Sequence, residues 1–314
     1  MDKLPIRRLS RLGNEGLLSS TLAVIELGKG RYEWGVVALL LLSRCASDWV
    51  VNGVIGPPVR IAQSLSIRAI AQSLDAPYAS IHRYVSALQE QGLAIVSDNG
   101  VAISNDPAVA PAVVAFLVGA HDRLIRLVED LAPDLPINGA GSVPHRGLLA
   151  ATLSAALDIS LVPYEIAREP VIDWTSKLVW IVIIVANVRH VTTDYDLSRA
   201  YAFKPTPDDV RVPIGVRTIS AMTGLSYGTT FRHCKKLAQQ DVIKYDRGGW
   251  LLASRQLNDD AVDEGVKALL AYYAKRINEL AALGLSVESL ERAYIGPRPD
   301  YVIIDNAVDI KKGR

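Results

Sequence analysis

Two stretches of this 314-residue chain carry polar side chains at a spacing suited to reading a surface of hydrogen-bond donors and acceptors. In the first, Tyr78, Ser80, His82, Arg83 and Ser86 fall on one side of a helical pattern whose other side is Ile81, Val85 and Leu88. In the second, Tyr227, Thr229, Arg232, His233, Lys235 and Lys236 stand out in the same way. Hydroxyls, imidazole and guanidinium form a hydrogen-bonding set, unlike the Lys/Glu mixture of an ordinary solvated helix face. A guanidinium pairs bidentately with a guanine edge, and lysines neutralise phosphates.

Each stretch is preceded by a shorter helical pattern. Ile67, Ile70, Ala71 and Leu74 follow the i, i+3, i+4, i+7 rule, then Asp75-Ala76-Pro77 turns the chain into Tyr78–Gln91. Val216–Thr223, Gly224-Leu225-Ser226 and Tyr227–Gln240 repeat the plan, with Ser226 at an N-cap position. Arg68 and Arg217, near the start of each first helix, suit phosphate contacts. Two short helices joined by a tight turn make a helix-turn-helix, whose second helix fits a major groove. A hairpin should follow each. Leu93–Val96 and Val101–Ile103 flank an Asn-Gly turn; Val242–Tyr245 and Trp250–Leu252 flank a Gly-Gly turn. Asn99 and Arg247 sit at the two hairpin tips, within reach of a minor groove or backbone. The whole unit reads as a winged helix.

The segment Leu74–Leu93 (LDAPYASIHRYVSALQEQGL) resembles the recognition segment of bacterial winged-helix repressors of the MarR and IclR groups. Leu225–Leu237 (LSYGTTFRHCKKL) is closer still, and the flanking helices resemble the MarR type, where such helices build the dimer. The likeness covers about 40 residues per unit. Two departures stand out: Pro77 occupies the usual position of a capping Ser, and neither hairpin carries the longer acidic-basic signature of MarR wings. The resemblance implies a cytoplasmic bacterial transcription regulator that binds double-stranded DNA sequence-specifically. Repressors of the family that this chain resembles take small-molecule effectors between flanking and winged helices. A plasmid-type replication initiator with tandem winged helices, or a winged-helix protein-interaction module, are the alternatives.

The chain also matches itself. Gly16–Leu22 aligns with Gly147–Leu153, Arg44 with Arg189, and Asp48 and Trp49 with Asp194 and Tyr195. Arg68, Ile70, Tyr78, Arg83, Leu88 and Gln91 align with Arg217, Ile219, Tyr227, Arg232, Leu237 and Gln240, and Ala115 through Leu127 with Ala268 through Leu280. The offset only grows, from 131 to 153 residues, as insertions into the second copy would make it. The expected fold is therefore mainly α with small β wings: an internally duplicated winged helix-turn-helix whose flanking helices form a pseudo-two-fold helical core. The first repeat spans 1–137, with a winged helix at about 58–105 and a long helix at about 108–131. The second spans 138–314, with its winged helix at about 211–254 and long helix at about 260–283. The Pro/Gly-rich stretch 132–141 joins them, and the largest insertion falls near 163–170. The runs Val36–Leu42 and Leu178–Val188 are expected to form the central seam, making one chain its own dimer and a monomer in solution.

Composition narrows the function classes. Lys plus Arg is 34 against 33 Asp plus Glu, a net charge of +1 that excludes a globally basic coat. Locally, Arg211–Trp250 holds seven bases against two acids, whereas Arg60–Ile103 is neutral, so the second unit is expected to grip phosphate more strongly. The N-terminal Lys3, Arg7, Arg8 and Arg11 read as a tail rather than a DNA-reaching arm. Cys45 and Cys234 form no disulfide framework and no zinc spacing, as in a reducing compartment. No metal-binding His motif, phosphate-binding glycine loop or nucleophile elbow appears, so no cofactor, metal or enzymatic activity is expected. Both apolar runs fall short of the ~20 residues of a spanning helix, so no membrane partner is expected.

Overall fold

A computed structural model describes residues 4–137, 147–165, 173–257 and 260–304. Residues 138–141 of the expected join and 166–170 of the expected insertion lie outside them, as does Lys3.

The chain is mainly helical with three small two-stranded antiparallel sheets. Its first half runs α1 (Ile6–Leu27), α2 (Tyr32–Arg44), a 3-10 turn, the short hairpin β1–β2 (Val50–Val51, Val54–Ile55), α3 (Ile67–Ser73), α4 (Tyr78–Glu90), the hairpin β3–β4 (Ala94–Ser97, Gly100–Ile103) and α5 (Ala110–Leu131). Its second half runs α6 (Leu148–Glu165), α7 (Trp174–Thr193), α8 (Tyr195–Ala200), α9 (Val216–Thr223), α10 (Tyr227–Gln239), the hairpin β5–β6 (Ile243–Asp246, Gly249–Leu252), α11 (Ser254–Leu257) and α12 (Asp260–Ala282). The β1–β2 hairpin and α8 stand at corresponding points of the two halves, where the sequence pattern predicted neither.

The helix-turn-helix units form for local reasons. Ile70, Leu74, Ile81, Val85 and Leu88 are buried on one face of α3 and α4, as their periodicity requires. Ser66 caps α3 by accepting from the Ala69 N–H at 3.1 Å, and Ser226 caps α10 by accepting from the Thr229 N–H at 3.2 Å. Pro77 leaves α4 without a side-chain cap. The β5–β6 turn holds Arg247 and Gly248 both at positive φ (49° and 84°), the two-residue turn that matches strand twist. In β3–β4 the connecting pair is Asp98-Asn99, one residue earlier than the Asn-Gly reading, because Gly100 already pairs with Ser97.

Main-chain details recur between the units at an offset of 149. The isolated bridge Leu65–Val101 recurs as Ile214–Trp250, tying the segment before each helix pair to the second strand of its hairpin. The N–H of Leu93 bonds the carbonyl of Leu88, and that of Val242 the carbonyl of Leu237. Left-handed residues recur as well: Asp75 with Gly224, and Gly92 with Asp241. A Cβ on Gly100 would lie 2.8 Å from the Leu65 carbonyl oxygen, and one on Gly249 2.9 Å from that of Ile214. Neither position tolerates a larger residue without moving the bridge.

The flanking helices interlock rather than forming two separate halves. α1 packs on α5 and α2 of its own half and on α7 of the other; α2 packs on α6; α10 and α9 sit on α7, and α4 on α2. The expected seam is corrected here. Val36–Leu42 are fully buried, but in a cluster with α1, α5 and α6, whereas Val179–Ala186 belong to a second cluster with Leu18 and the α9–α10 unit. Each second helix seals against the other half's first helix, because both are apolar on several faces and need more than one neighbour. The N termini of α2 and α7 do meet, where Thr175 Oγ1 donates to Glu33 Oε1 at 3.2 Å.

Two further expectations are corrected. The basic N-terminus is no tail: α1 begins at Ile6, Arg7 pairs with Asp263 at 2.7 Å, Arg8 pairs with Asp134, and buried Arg11 donates to the carbonyls of Tyr201 and Ser198. The second apolar run sits within a longer helix. α7 has 20 residues and a mean hydropathy of 1.2 over its most apolar window, making it the one helix among the described residues long and apolar enough to cross a bilayer. It is lengthened by residues 174–177 and 189–193, which include Lys177 and Arg189, and 61% of that window is buried against the rest of the protein.

Candidate nucleic-acid interface

On α4 the chain exposes Tyr78, His82 and Arg83, with Ser80 and Ser86 half-buried beside them. Ser86 Oγ donates to the His82 carbonyl at 3.0 Å, which commits its proton to the helix. The Arg83 guanidinium lies 5.4 Å from the Tyr84 ring centroid, within cation–π reach. Arg68 projects from α3 beside two surface grooves. One of about 720 Å³ is lined by Arg68, Gln72, Asp75, Pro77 and Tyr78; the other, of about 300 Å³, runs from Arg68 and Tyr78 to the hairpin tip at Asn99. The structure thus brings Arg68, Tyr78 and Asn99 to one face, together with the acids Asp75 and Asp98.

On the second unit Arg217, Tyr227, Arg232 and Lys235 are exposed and Thr229 is half-buried, its hydroxyl accepting from Ser226 Oγ at 2.9 Å. The remaining basic residues are engaged. Lys236 forms a 2.6 Å ion pair with Asp173, the residue that caps α7. Arg247 turns back from the hairpin tip and donates to the carbonyls of Asp208, Asp209 and Arg211. Arg211 is buried and, like Lys244, pairs with Asp208. Asp173 and Asp208, two acids that precede the counted window, therefore offset part of the positive charge counted over Arg211–Trp250 and hold three of its cations. Of the predicted cations there, Arg217, Arg232 and Lys235 are exposed and form no ion pair among the described residues.

The pKa shifts follow this wiring. Burial works against the Asp173 carboxylate, but the hydrogen bonds from Lys236 and the Ser176 N–H outweigh it and hold the group below its ordinary value. Asp208 is driven well below the usual carboxylate range by hydrogen bonds from Lys244, Ser254 and Arg211, despite an opposing desolvation effect. His233 is pushed down, mainly by burial, and its Nδ1 lies 2.8 Å from Ser176 Oγ. It belongs to the joint between α10 and α7, not to the outer face.

The sequence reading did not single out Phe231. It is 40% exposed on α10, four residues after Tyr227 (54% exposed), and the two rings lie parallel within 7°. The signal was present: Thr230, Cys234 and Leu237 make the buried stripe, and Phe231 falls off it.

Cys45 is buried, donates its S–H to the Leu41 carbonyl, and is pushed by burial up to about 12; Cys234 is raised in the same way. Thiols held this far from ionisation are poor nucleophiles. Among the described residues, no group of three or more His, Cys, Asp or Glu side chains could hold a metal ion. Set against protein-family models, curated proteins and solved structures, the chain matches none of them.

Proposed function

We propose that this chain is a sequence-specific double-stranded DNA-binding transcription regulator that arose by internal duplication. In this reading it acts as a monomeric pseudo-dimer with two non-identical winged helices. The main-chain hydrogen bonds and left-handed residues that recur at one offset support the duplication. The interlocked flanking helices support the pseudo-dimer.

One observation carries the DNA reading. Arg83 and Arg232 occupy equivalent places, the sixth residue of α4 and of α10, and both are exposed with no acidic partner among the described residues. A guanidinium at that point of a recognition helix fits the bidentate guanine contact. Arg68, Arg217 and Lys235 are the cations for the phosphate backbone.

The test is fluorescence anisotropy of labelled mixed genomic duplexes against the full chain at several salt concentrations. Binding that weakens steeply with salt, and weakens further in Arg83→Ala and Arg232→Ala, supports the reading. Absence of binding at low salt would shift it to a protein-interaction module. That alternative has its own support in the exposed hairpin residues Ile95 and Val96.

A further inference from the structure

Phe231 and Tyr227 form an apolar strip on a helix face that is otherwise cationic. Their ring centroids are 6.3 Å apart, and Lys235 Nζ lies 5.4 Å from the Phe231 centroid. From Tyr227 to Gln239 the helix contains no acidic residue, and Arg232 and Lys235 flank the strip. A polyanion is the partner such a face complements. Exposed rings gain nothing from phosphates, however. The apolar feature that base pairs offer in the major groove is a 5-methyl group on a pyrimidine.

We infer that Tyr227 and Phe231 read the 5-methyl group of a pyrimidine in the half-site contacted by α10. The inference rests on the DNA-binding reading and adds a specificity determinant to it. The equivalent pair on α4 differs. Tyr78 and His82 stand 6.2 Å apart and tilted by 38°, and the second ring is a polar imidazole. Methyl sensitivity therefore belongs to one half of the site. Thymine and 5-methylcytosine present the same group, and the experiment separates them.

The experiment takes the best duplex from a random pool selected with the full chain. Each thymine is replaced in turn by deoxyuridine, and each cytosine by 5-methylcytosine. With the unaltered protein, loss of the contacted methyl should weaken binding about four-fold, the equivalent of one buried methyl-sized group. A cytosine at that place should instead bind more tightly when methylated. Methyl changes in the α4 half should alter binding less than two-fold. Phe231→Ala should lose a similar factor on the methylated duplex and no longer distinguish the two forms. Equal binding of methylated and unmethylated duplexes by the unaltered protein overturns the inference while leaving the DNA reading intact, and needs no variant to fold. Discrimination that survives in Phe231→Ala overturns it as well. If no duplex is enriched, the DNA reading fails and this inference falls with it.

Discussion

Lys236 Nζ lies 2.6 Å from Asp173 Oδ2, so the last turn of α10 is fastened to the cap of α7. One of two adjacent lysines is thereby a positioning residue and the other, Lys235, faces outward. Lys235→Ala should flatten the slope of log affinity against log salt by about 0.9, the loss of one phosphate contact. Lys236→Ala should leave that slope nearly unchanged and lower stability by no more than about 1 kcal/mol, since the pair is partly exposed. A salt titration of both variants decides between them, and equal slopes would refute the assignment.

Glu15 and Arg189 join α1 to α7 through two 2.6 Å hydrogen bonds. Burial pushes the Glu15 carboxyl up to about 7 in spite of Arg189. A carboxyl raised on folding contributes most stability below its unfolded value, near 4.5, and that contribution is lost as pH rises through about 7. Arg189→Met removes the only opposing cation bonded to Glu15 among the described contacts. The variant should lose about 3 kcal/mol of unfolding free energy at pH 8 and much less at pH 5. Denaturant unfolding at the two pH values checks this; an equal loss at both would contradict it.

Gly100→Ala and Gly249→Ala should each destabilise the protein by about 1–3 kcal/mol, because the new methyl meets the bridging carbonyl of Leu65 or Ile214. Gly100→Ala should cost the more of the two, because Gly100 also sits at φ 120°, a conformation that an L side chain rarely adopts, whereas Gly249 does not. Thermal unfolding of each variant measures them, and an unchanged midpoint in either would show that the bridge yields freely.

Static light scattering should give a mass near 34.0 kDa at micromolar concentration, since both apolar second helices are already covered within one chain. A mass of about twice that would mean that two chains share the core.

Much of this was legible in the sequence, and the limits are physical. Periodicity identified α3, α4, α9 and α10, because burying Ile70, Ile81, Ile219 and Leu237 is a local requirement of one helix face. Turn chemistry located the hairpins to within a residue. Local counting failed wherever a partner lay far along the chain. Asp173 and Asp208 engage Lys236, Lys244 and Arg211 from outside the segment whose charge was summed. Arg7 and Arg11 looked like a solvated tail because their partners, Asp263 and the carbonyls of Ser198 and Tyr201, lie nearly 200 or more residues away. The mutual burial of α2 on α6 and of α7 on α1 likewise depends on shape, not on hydropathy alone.

The central claim is that one chain presents two different recognition helices to DNA. Selection of bound duplexes from a random pool, followed by sequencing, tests it most directly. The account predicts an asymmetric site: a guanine-containing element common to both halves, read by Arg83 and Arg232, and flanking positions that differ between them. Arg232→Ala should relax preference at one base pair and cost roughly 1–3 kcal/mol. A perfectly palindromic site would contradict the account, because it would require the same helix from two chains.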